Sequence, residues 1–270
     1  MECWARDVPV HYVEHGDGVP VLVLHGAGVD HREMLGALDP IFSELAGYRR
    51  IYPDLPGMGH TPAPGTINGA DDVLDVLLAF VDGVIGDARF RLLGHSAGAY
   101  YARAIAGRRP DQVAGLALIC PLVEDVRDLP ATQVLHASVD PDETLGAADA
   151  GVFRDYFVVQ TQATLDRYQE YVLPGMGLVD EGGLERIGQH WLFSTSPGAG
   201  PPYTGPVLIA VGRQDSMVGY ASQWDLLRHY PRATFAVLDR AGHALPHEQP
   251  GLLKALIAEW LDRVHERDSC

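Results

Sequence analysis

The chain has 270 residues, of which 47% are hydrophobic and 21% are charged. These proportions are ordinary for a globular protein and exclude a largely disordered chain. The formal net charge is −16, from 20 Lys and Arg residues against 36 Asp and Glu residues, so we expect no nucleic-acid partner, because phosphate binding requires basic side chains. The sequence shows no apolar run of membrane-spanning length and no signal-peptide pattern at its N-terminus, so we expect a cytoplasmic protein with no membrane partner.

The three cysteines are Cys3, Cys120 and Cys270. Their number and spacing predict neither a disulfide framework nor a zinc site. We expect Cys120, which ends an apolar run, to be a small buried hydrophobic residue. The sequence therefore predicts no metal.

Apolar runs alternate with amphipathic segments in the first 121 residues. The runs predict strands over 8–14, 20–24, 48–53, 89–93 and 113–119, and the segments between them predict helices over 33–45, 70–85 and 97–109. The first run alternates apolar and polar residues, as a half-buried edge strand does, whereas a continuously apolar run is typical of a strand covered on both faces. This alternation of strands and helices predicts a parallel sheet with helices on both faces.

The alternation stops after residue 121 and resumes near residue 204. The predicted elements between these points are helices, over 142–150, 152–171 and 183–193, followed by a stretch rich in Ser, Pro and Gly at 194–202. The last part of the chain returns to strands over 207–211 and 234–238 and to helices over 221–229 and 252–266. We therefore predict an α/β core formed by residues 1–121 and 204–270, with a helical cap inserted at 122–203.

A Gly-x-Ser-x-Gly motif, Gly94 to Gly98, lies between a predicted strand and a predicted helix. This context is typical of a nucleophile elbow, in which a strained strand-to-helix turn exposes a serine hydroxyl above the sheet. The two glycines remove side chains that would clash with the neighbouring strand and helix. We predict that Ser96 is a nucleophile.

A serine hydroxyl needs a general base and a carboxylate that orients this base. His243 follows the last predicted strand in an Ala-Gly-His-Ala turn, and Asp215 follows the strand at 207–211, so both side chains are expected at the edge of the sheet where Ser96 lies. We predict His243 as the base and Asp215 as the acid, with Glu124 or Asp125 as the alternative acid.

The oxyanion that forms when a serine attacks a carbonyl carbon requires two N–H donors. The N–H of Ala97 is predicted as the first because it follows the nucleophile, and the N–H of Ala27, in the turn after the strand at 20–24, as the second. Gly28 is the less favoured alternative for the second donor.

An apolar substrate pocket is expected between cap and core, where such sites commonly form. The substrate-binding residues that we predict are Met58, Phe157, Trp191 and Met217. Further bulky side chains that could line this pocket are Phe153, Tyr156, Tyr168, Tyr171 and Phe193. His95, next to Ser96, is expected to be a buried, hydrogen-bonded residue.

Five short motifs occur in a fixed order along the chain. They are His-Gly-x-Gly at 25–28, Asp-x-Pro-Gly-x-Gly at 54–59, Gly-His-Ser-x-Gly at 94–98, Gly-x-x-Asp at 212–215 and Gly-His at 242–243. In this order they resemble the α/β-hydrolase superfamily, in particular its small cap-bearing serine hydrolases. The resemblance implies an eight-stranded, mostly parallel sheet with Ser96, Asp215 and His243 as a catalytic triad.

The function expected from these residues is that of a cofactor-independent serine hydrolase acting on a small ester, lactone or related acyl compound. Relatives that hydrolyse carbon–carbon bonds, or that use peroxide as perhydrolases do, share the same triad and stay open as alternatives. A small-molecule receptor on the same fold is a third, since fold alone does not decide function. The expected partner is a small-molecule substrate, and the sequence does not indicate an oligomeric state.

Overall fold

The computed structural model describes residues 1–131 and 133–269, so Cys270 lies outside the described residues. Eight strands form the main sheet: β1 (Glu2–Ala5), β2 (Val8–His15), β3 (Val19–Leu24), β4 (Tyr48–Pro53), β5 (Phe90–His95), β6 (Val113–Ile119), β7 (Val207–Gly212) and β8 (Ala233–Leu238). Their order across the sheet is β1-β2-β4-β3-β5-β6-β7-β8. The pairs β1–β2 and β2–β4 are antiparallel, and every other neighbouring pair is parallel. The expected mostly parallel sheet of eight strands is confirmed.

The first predicted strand is present, but it does not lie at the edge of the sheet. Residues Glu2–Ala5 form β1 outside it, with Cys3 opposite Val10 and Trp4 opposite Pro9. The prediction of an edge strand was wrong because alternating burial also arises in an inner strand when only one of its faces is covered.

Helices cover both faces of the sheet. The bounds of the large helices are α1 (His31–Phe42), α2 (Ala70–Val84), α3 (Ala97–Arg108) and α9 (Pro250–Asp268). Residues of α2 and α3 pack in one core cluster with Leu22 and Leu24 of β3, whereas residues of α1 and α9 pack in the other cluster with Val21 and Val23. Since successive residues of one strand point to opposite faces, the two clusters lie on opposite sides of the sheet, which confirms the predicted layers.

Between β6 and β7 the described residues form short helices and one pair of two-residue strands. The helices are α4 (Ala147–Tyr156), α5 (Gln162–Arg167), α6 (Leu173–Met176) and α7 (Glu181–Gln189), and the strands are His136–Ala137 and Val159–Gln160. A third core cluster packs side chains of α4 and α5 against Val29 and Ala244 of the α/β core. A separate cap with bounds at 122 and 203 stays a prediction.

The single helix predicted over 152–171 is wrong. The chain leaves α4 at Phe157, whose backbone is extended, and the N–H groups of Val158 and Val159 donate to Glu248 instead of to a helical turn. Thr161 and Thr164 then form a capping box that starts α5. The prediction followed the helical spacing of the aromatic residues. It gave too little weight to the two β-branched valines, which disfavour a helix, and to the cap formed by the two threonines, which starts a new one.

Two other short helices lie in the last third of the chain. Residues Ser222–Arg228 form a 3-10 helix where an α-helix over 221–229 was predicted, and a one-turn helix, α8 (Leu245–Glu248), precedes α9. Among the described residues, none of the helices has the length and apolar character needed to cross a membrane.

Candidate active site

Ser96 occupies the sharp turn between β5 and α3. Its backbone has φ 54° and ψ −119°, in the left-handed half of the map that side-chain-bearing residues rarely adopt. A Cβ added at Gly94 would lie 2.4 Å from the Gly98 carbonyl oxygen, and one added at Gly98 would lie 2.4 Å from the carbonyl oxygens of Leu24 and His25. The two glycines therefore let the strand, the turn and the helix approach closely enough to present the serine.

The structure brings Ser96, His243 and Asp215 into one hydrogen-bonded chain. His243 Nε2 lies 2.9 Å from Ser96 Oγ, and His243 Nδ1 lies 2.8 Å from Asp215 Oδ2. Because a carboxylate only accepts, Nδ1 carries the proton and Nε2 is free to accept the serine hydroxyl proton. His243 is 5% exposed and Asp215 fully buried, whereas Ser96 is half-buried.

Asp215 is held in place by backbone donors at the end of β7. Its Oδ1 accepts hydrogen bonds from the N–H groups of Met217 and Val218, each at 3.0 Å. Burial alone would raise the pKa of this carboxyl, but His243 and the two N–H donors outweigh burial and lower it. A Cβ at Gly212 would lie 2.2 Å from the Gly242 carbonyl oxygen, so this glycine allows the loops of the acid and of the histidine to meet.

The alternative acids have other partners. Glu124 accepts from Arg103 at 3.1 Å and from Ser196 Oγ at 2.7 Å, and Asp125 pairs with the exposed Arg127. The geometry therefore favours Asp215 over both alternatives as the partner of His243.

The turn after β3 lies directly against the serine. A Cβ at Gly26 would be 3.4 Å from Ser96 Cβ, and the Gly26 N–H donates to Glu33 Oε2 at 2.9 Å. The Gly28 N–H points to Met58 Sδ at 3.3 Å, which leaves Ala27 as the more suitable donor of this turn. Ala97 begins α3, where the first N–H groups have no acceptor within the helix. The roles of the Ala27 and Ala97 N–H groups as oxyanion donors stay predictions.

The four predicted substrate-binding residues have different surroundings. Met58 is buried beside the turn at Gly28, Met217 is 56% exposed beside Asp215, and Trp191 is half-buried with its ring centroid 5.9 Å from that of Tyr100. These three assignments stay predictions.

The fourth predicted residue, Phe157, has the surroundings of a packing residue, and its assignment also stays a prediction. It is fully buried, with its ring centroid 4.8 Å from that of Phe153 and 5.9 Å from that of Tyr168, so its contacts are those of a packing residue of the inserted segment. The preceding residue, Tyr156, lies beside His243, with the two rings edge-on at a centroid distance of 5.8 Å. Sequence spacing cannot decide which of two adjacent aromatic residues at a helix end faces the core.

Two clusters bring three potential metal-ligating atoms within 4.8 Å of one another among the described residues. They are His95, Cys120 and His243, and His11, His31 and Asp54. In the first cluster both ring nitrogens of His243 are engaged by Ser96 and Asp215. In the second, Asp54 accepts from the Nδ1 atoms of His11 and His31 at 2.8 and 2.7 Å and from two backbone N–H groups. The expectation of a metal-free site stays a prediction.

Sequence reasoning missed two buried carboxyls near the site, Glu33 and Glu248. Glu248 accepts from the N–H of Gly242 at 2.7 Å and from those of Val158 and Val159 at 2.6 and 3.0 Å, and burial raises its pKa to about 7. It thus ties the His243 loop to the inserted segment. The available signal was weak: Glu248 follows a Pro-His turn, and Glu33 precedes Met34 at the start of an amphipathic helix.

Comparison with known proteins agrees with this architecture. The solved structure of an alpha/beta superfamily hydrolase from Oenococcus oeni PSU-1 matches with a TM-score of 0.89 and 29% identity, covering 98% of this chain and 99% of that one. A pimeloyl-[acyl-carrier protein] methyl ester esterase of Legionella pneumophila (strain Paris) is 26% identical over 87% of this chain and 91% of its own length.

A 2-hydroxymuconate semialdehyde hydrolase of Pseudomonas sp. (strain CF600) is 25% identical over 96% of this chain and 93% of its own length. The match spans only 48%, 62% and 39% of the length of three other curated relatives. Residues 21–256 match the family described as the alpha/beta hydrolase family. With this match across most of its length and the fold described above, the chain belongs to the alpha/beta hydrolase family.

Proposed function

We propose that this chain is a cofactor-independent serine hydrolase that cleaves a small carboxylic ester, lactone or related acyl compound. The observation that carries the proposal is the chain of hydrogen bonds from Ser96 through His243 to Asp215, at 2.9 and 2.8 Å. A half-buried serine next to the turn that carries Ala27 supports the proposal, because acyl transfer requires backbone N–H donors close to the nucleophile. The similarity to a protein named as a methyl ester esterase supports the ester as substrate class.

The reaction has two halves. His243 Nε2 takes the hydroxyl proton as Ser96 Oγ attacks the carbonyl carbon, and the N–H groups of Ala27 and Ala97 hydrogen-bond to the resulting oxyanion. The imidazolium then gives its proton to the leaving alkoxide, and an acyl-enzyme remains on Ser96. In the second half His243 deprotonates a water molecule that attacks the acyl carbon, and the acid leaves as the serine regains its proton.

A second candidate function is hydrolysis of a carbon–carbon bond next to a carbonyl group. The specific observation in its favour is the similarity, over nearly the full length of both chains, to a protein named as a 2-hydroxymuconate semialdehyde hydrolase. The same three side chains serve this reaction, but the leaving group is then a carbon atom, which must be protonated.

The test is a substrate panel with the purified protein: p-nitrophenyl esters of increasing acyl length, lactones of increasing ring size, and a vinylogous diketone. Ser96→Ala serves as the blank, and Ser43→Ala, at an exposed serine after α1 that donates to the Pro40 carbonyl oxygen, is the matched control. We expect multiple turnovers on short esters or lactones, no turnover by Ser96→Ala and unchanged turnover by Ser43→Ala.

Four results would contradict the proposed function. A vinylogous diketone turned over far faster than every ester would favour the second candidate. Turnover that persists in Ser96→Ala would exclude the serine mechanism. One covalent adduct per chain that is never released would indicate a receptor, and a rate that rises only with added peroxide would indicate a perhydrolase.

A further inference from the structure

A buried pair of ionisable side chains lies directly behind the candidate triad. Glu33, in the first turn of α1, and His95, the last residue of β5, are each 1% exposed. His95 Nδ1 lies 2.8 Å from Glu33 Oε1. Neither residue touches Ser96 Oγ in the reaction proposed above, so the mechanism leaves both unexplained.

The surroundings of His95 determine its charge. On one side its Nδ1 faces the carboxylate of Glu33, and on the other its Nε2 lies 2.9 Å from the backbone carbonyl oxygen of His243. The carbonyl oxygen only accepts, so Nε2 carries a proton, and the carboxylate oxygen 2.8 Å from Nδ1 favours a second proton there, which makes the ring an imidazolium.

Electrostatics agree with this assignment. Burial alone would lower the pKa of His95, but the nearby charge of Glu33 raises it overall. Burial alone would raise the pKa of Glu33, but His95 and the Gly26 N–H hold it well below its ordinary value. The two side chains therefore form a buried ion pair.

Both ends of this ion pair are bonded to the backbone of the candidate site. Glu33 Oε2 accepts from the N–H of Gly26 at 2.9 Å, in the turn that carries Ala27. His95 donates to the carbonyl oxygen of His243, and the two imidazole rings lie 4.8 Å apart between centroids. The pair thus connects the turn with the predicted oxyanion donor to the loop with the predicted base.

The inserted helical segment reaches the same carboxylate. Tyr156 Oη, at the end of α4, donates to Glu33 Oε1 at 3.3 Å, and its ring lies edge-on to His243. The carboxylate of Glu33 therefore contacts groups from the β3 turn, the end of β5 and the insertion.

Stability alone does not account for such a pair. Taking two charges out of water costs several kcal/mol per ion, and neutral replacements of buried pairs are often no less stable. We propose that the Glu33–His95 ion pair is a positioning device for the reaction of Ser96, fixing the spacing between the Ala27 turn and the His243 loop on either side of the serine. This inference rests on the proposed function.

The test uses three variants of the full chain: Glu33→Gln, His95→Asn and the double substitution. Each single variant leaves one buried partner without its counterpart, whereas the double variant leaves two neutral amides that can hydrogen-bond to each other. The shorter amide at position 95 loses the reach to the His243 carbonyl oxygen. Asp39→Asn, on the same helix in an ion pair with Arg50, is the matched control.

We expect kcat for p-nitrophenyl acetate to fall roughly 10- to 100-fold in both single variants, with KM changed by no more than about twofold, because small misplacements of reacting groups lower the rate of the chemical step. In the double variant the melting temperature should recover while kcat stays low. A purely structural pair would let kcat recover together with the melting temperature. If a single variant does not fold, the double variant alone decides between these outcomes.

Two results overturn the inference. Single variants with wild-type kcat would show that the pair positions nothing, and so would a double variant whose kcat returns with its stability. Absence of Ser96-dependent turnover in the wild-type protein would instead refute the proposed function, and the inference with it. The wild-type measurement therefore distinguishes the two failures.

Discussion

The substitution Asp215→Asn should change the protonation of the His243 ring without disturbing the packing around it. Asp215 Oδ1 accepts from the N–H groups of Met217 and Val218, and Oδ2 accepts from His243 Nδ1. An amide in the same place keeps its oxygen on the two backbone donors and turns its NH₂ group toward the ring. Because that group only donates, Nδ1 must become an acceptor and the ring proton moves to Nε2. This tautomer cannot accept the proton of Ser96.

The expected loss is large because the proposed base loses its accepting nitrogen while Ser96 and its surroundings remain. In a Ser-His-Asp triad the same change lowers kcat by about 10⁴-fold, which corresponds to roughly 5.5 kcal/mol of transition-state stabilisation at 1.36 kcal/mol per tenfold. We expect kcat to fall by roughly 10³- to 10⁴-fold here, with little change in KM.

The assay is steady-state hydrolysis of p-nitrophenyl acetate at neutral pH, with urea unfolding of each variant as the measure of fold. Asp225→Asn removes a carboxylate of the same kind from an exposed pair with Arg127 and should leave kcat unchanged. A folded Asp215→Asn variant that loses less than about tenfold, against the 10³ or more predicted, would refute the role of Asp215 in orienting the base.

Three further predictions concern the base, a buried histidine and the elbow. His243→Ala should reduce ester turnover to the level of Ser96→Ala while circular dichroism stays unchanged; retention of most activity would contradict its assignment as the base. Burial, which outweighs the nearby charge of Glu33, lowers the pKa of His247 to about 4. As the pH falls, this imidazole therefore takes up a proton in the unfolded chain at a higher pH than in the folded one. The free energy of unfolding should therefore fall by about 2–3 kcal/mol from pH 7 to 4.5 through this residue. His247→Leu should remove that share of the loss in urea titrations, and equal acid sensitivity of both proteins would contradict the reasoning. Gly94→Ala should destabilise the fold by about 1–3 kcal/mol because its Cβ meets backbone. Gly151→Ala, in open space on α4, should stabilise the fold slightly. Equal changes in the free energy of unfolding for the two glycine substitutions would contradict this reasoning.

The residues of the candidate triad could be found from the sequence because each carries a local signature. Ser96 lies in a strained turn that requires Gly94 and Gly98, and Asp215 and His243 lie in the loops that follow the apolar strands β7 and β8. The carboxyl ends of parallel strands meet at one edge of the sheet, so strand order alone brings these side chains near each other.

The ion pair behind the triad could not be found in this way. Glu33 and His95 are 62 positions apart and meet only because the first turn of α1 lies against the end of β5 in the folded chain. A charged residue in the first turn of a helix usually has a solvated partner or none, and nothing in the local pattern marks Glu33 as buried.

The predicted helices were least accurate in the inserted segment, for a related reason. Aromatic residues at helical spacing predicted one helix over 152–171, but Glu248, from beyond β8, supplies acceptors that draw Val158 and Val159 out of the helix. A tertiary partner thus decided the local conformation, which also placed Tyr156 and not Phe157 beside His243.

The most direct measurement is covalent labelling of the protein by an organophosphate, followed by intact-mass analysis and peptide mapping. The serine mechanism predicts one adduct per chain, mapped to Ser96, forming in step with the loss of esterase activity, absent in Ser96→Ala and much slower in His243→Ala. An adduct on another residue, or full esterase activity in a protein labelled at Ser96, would contradict it.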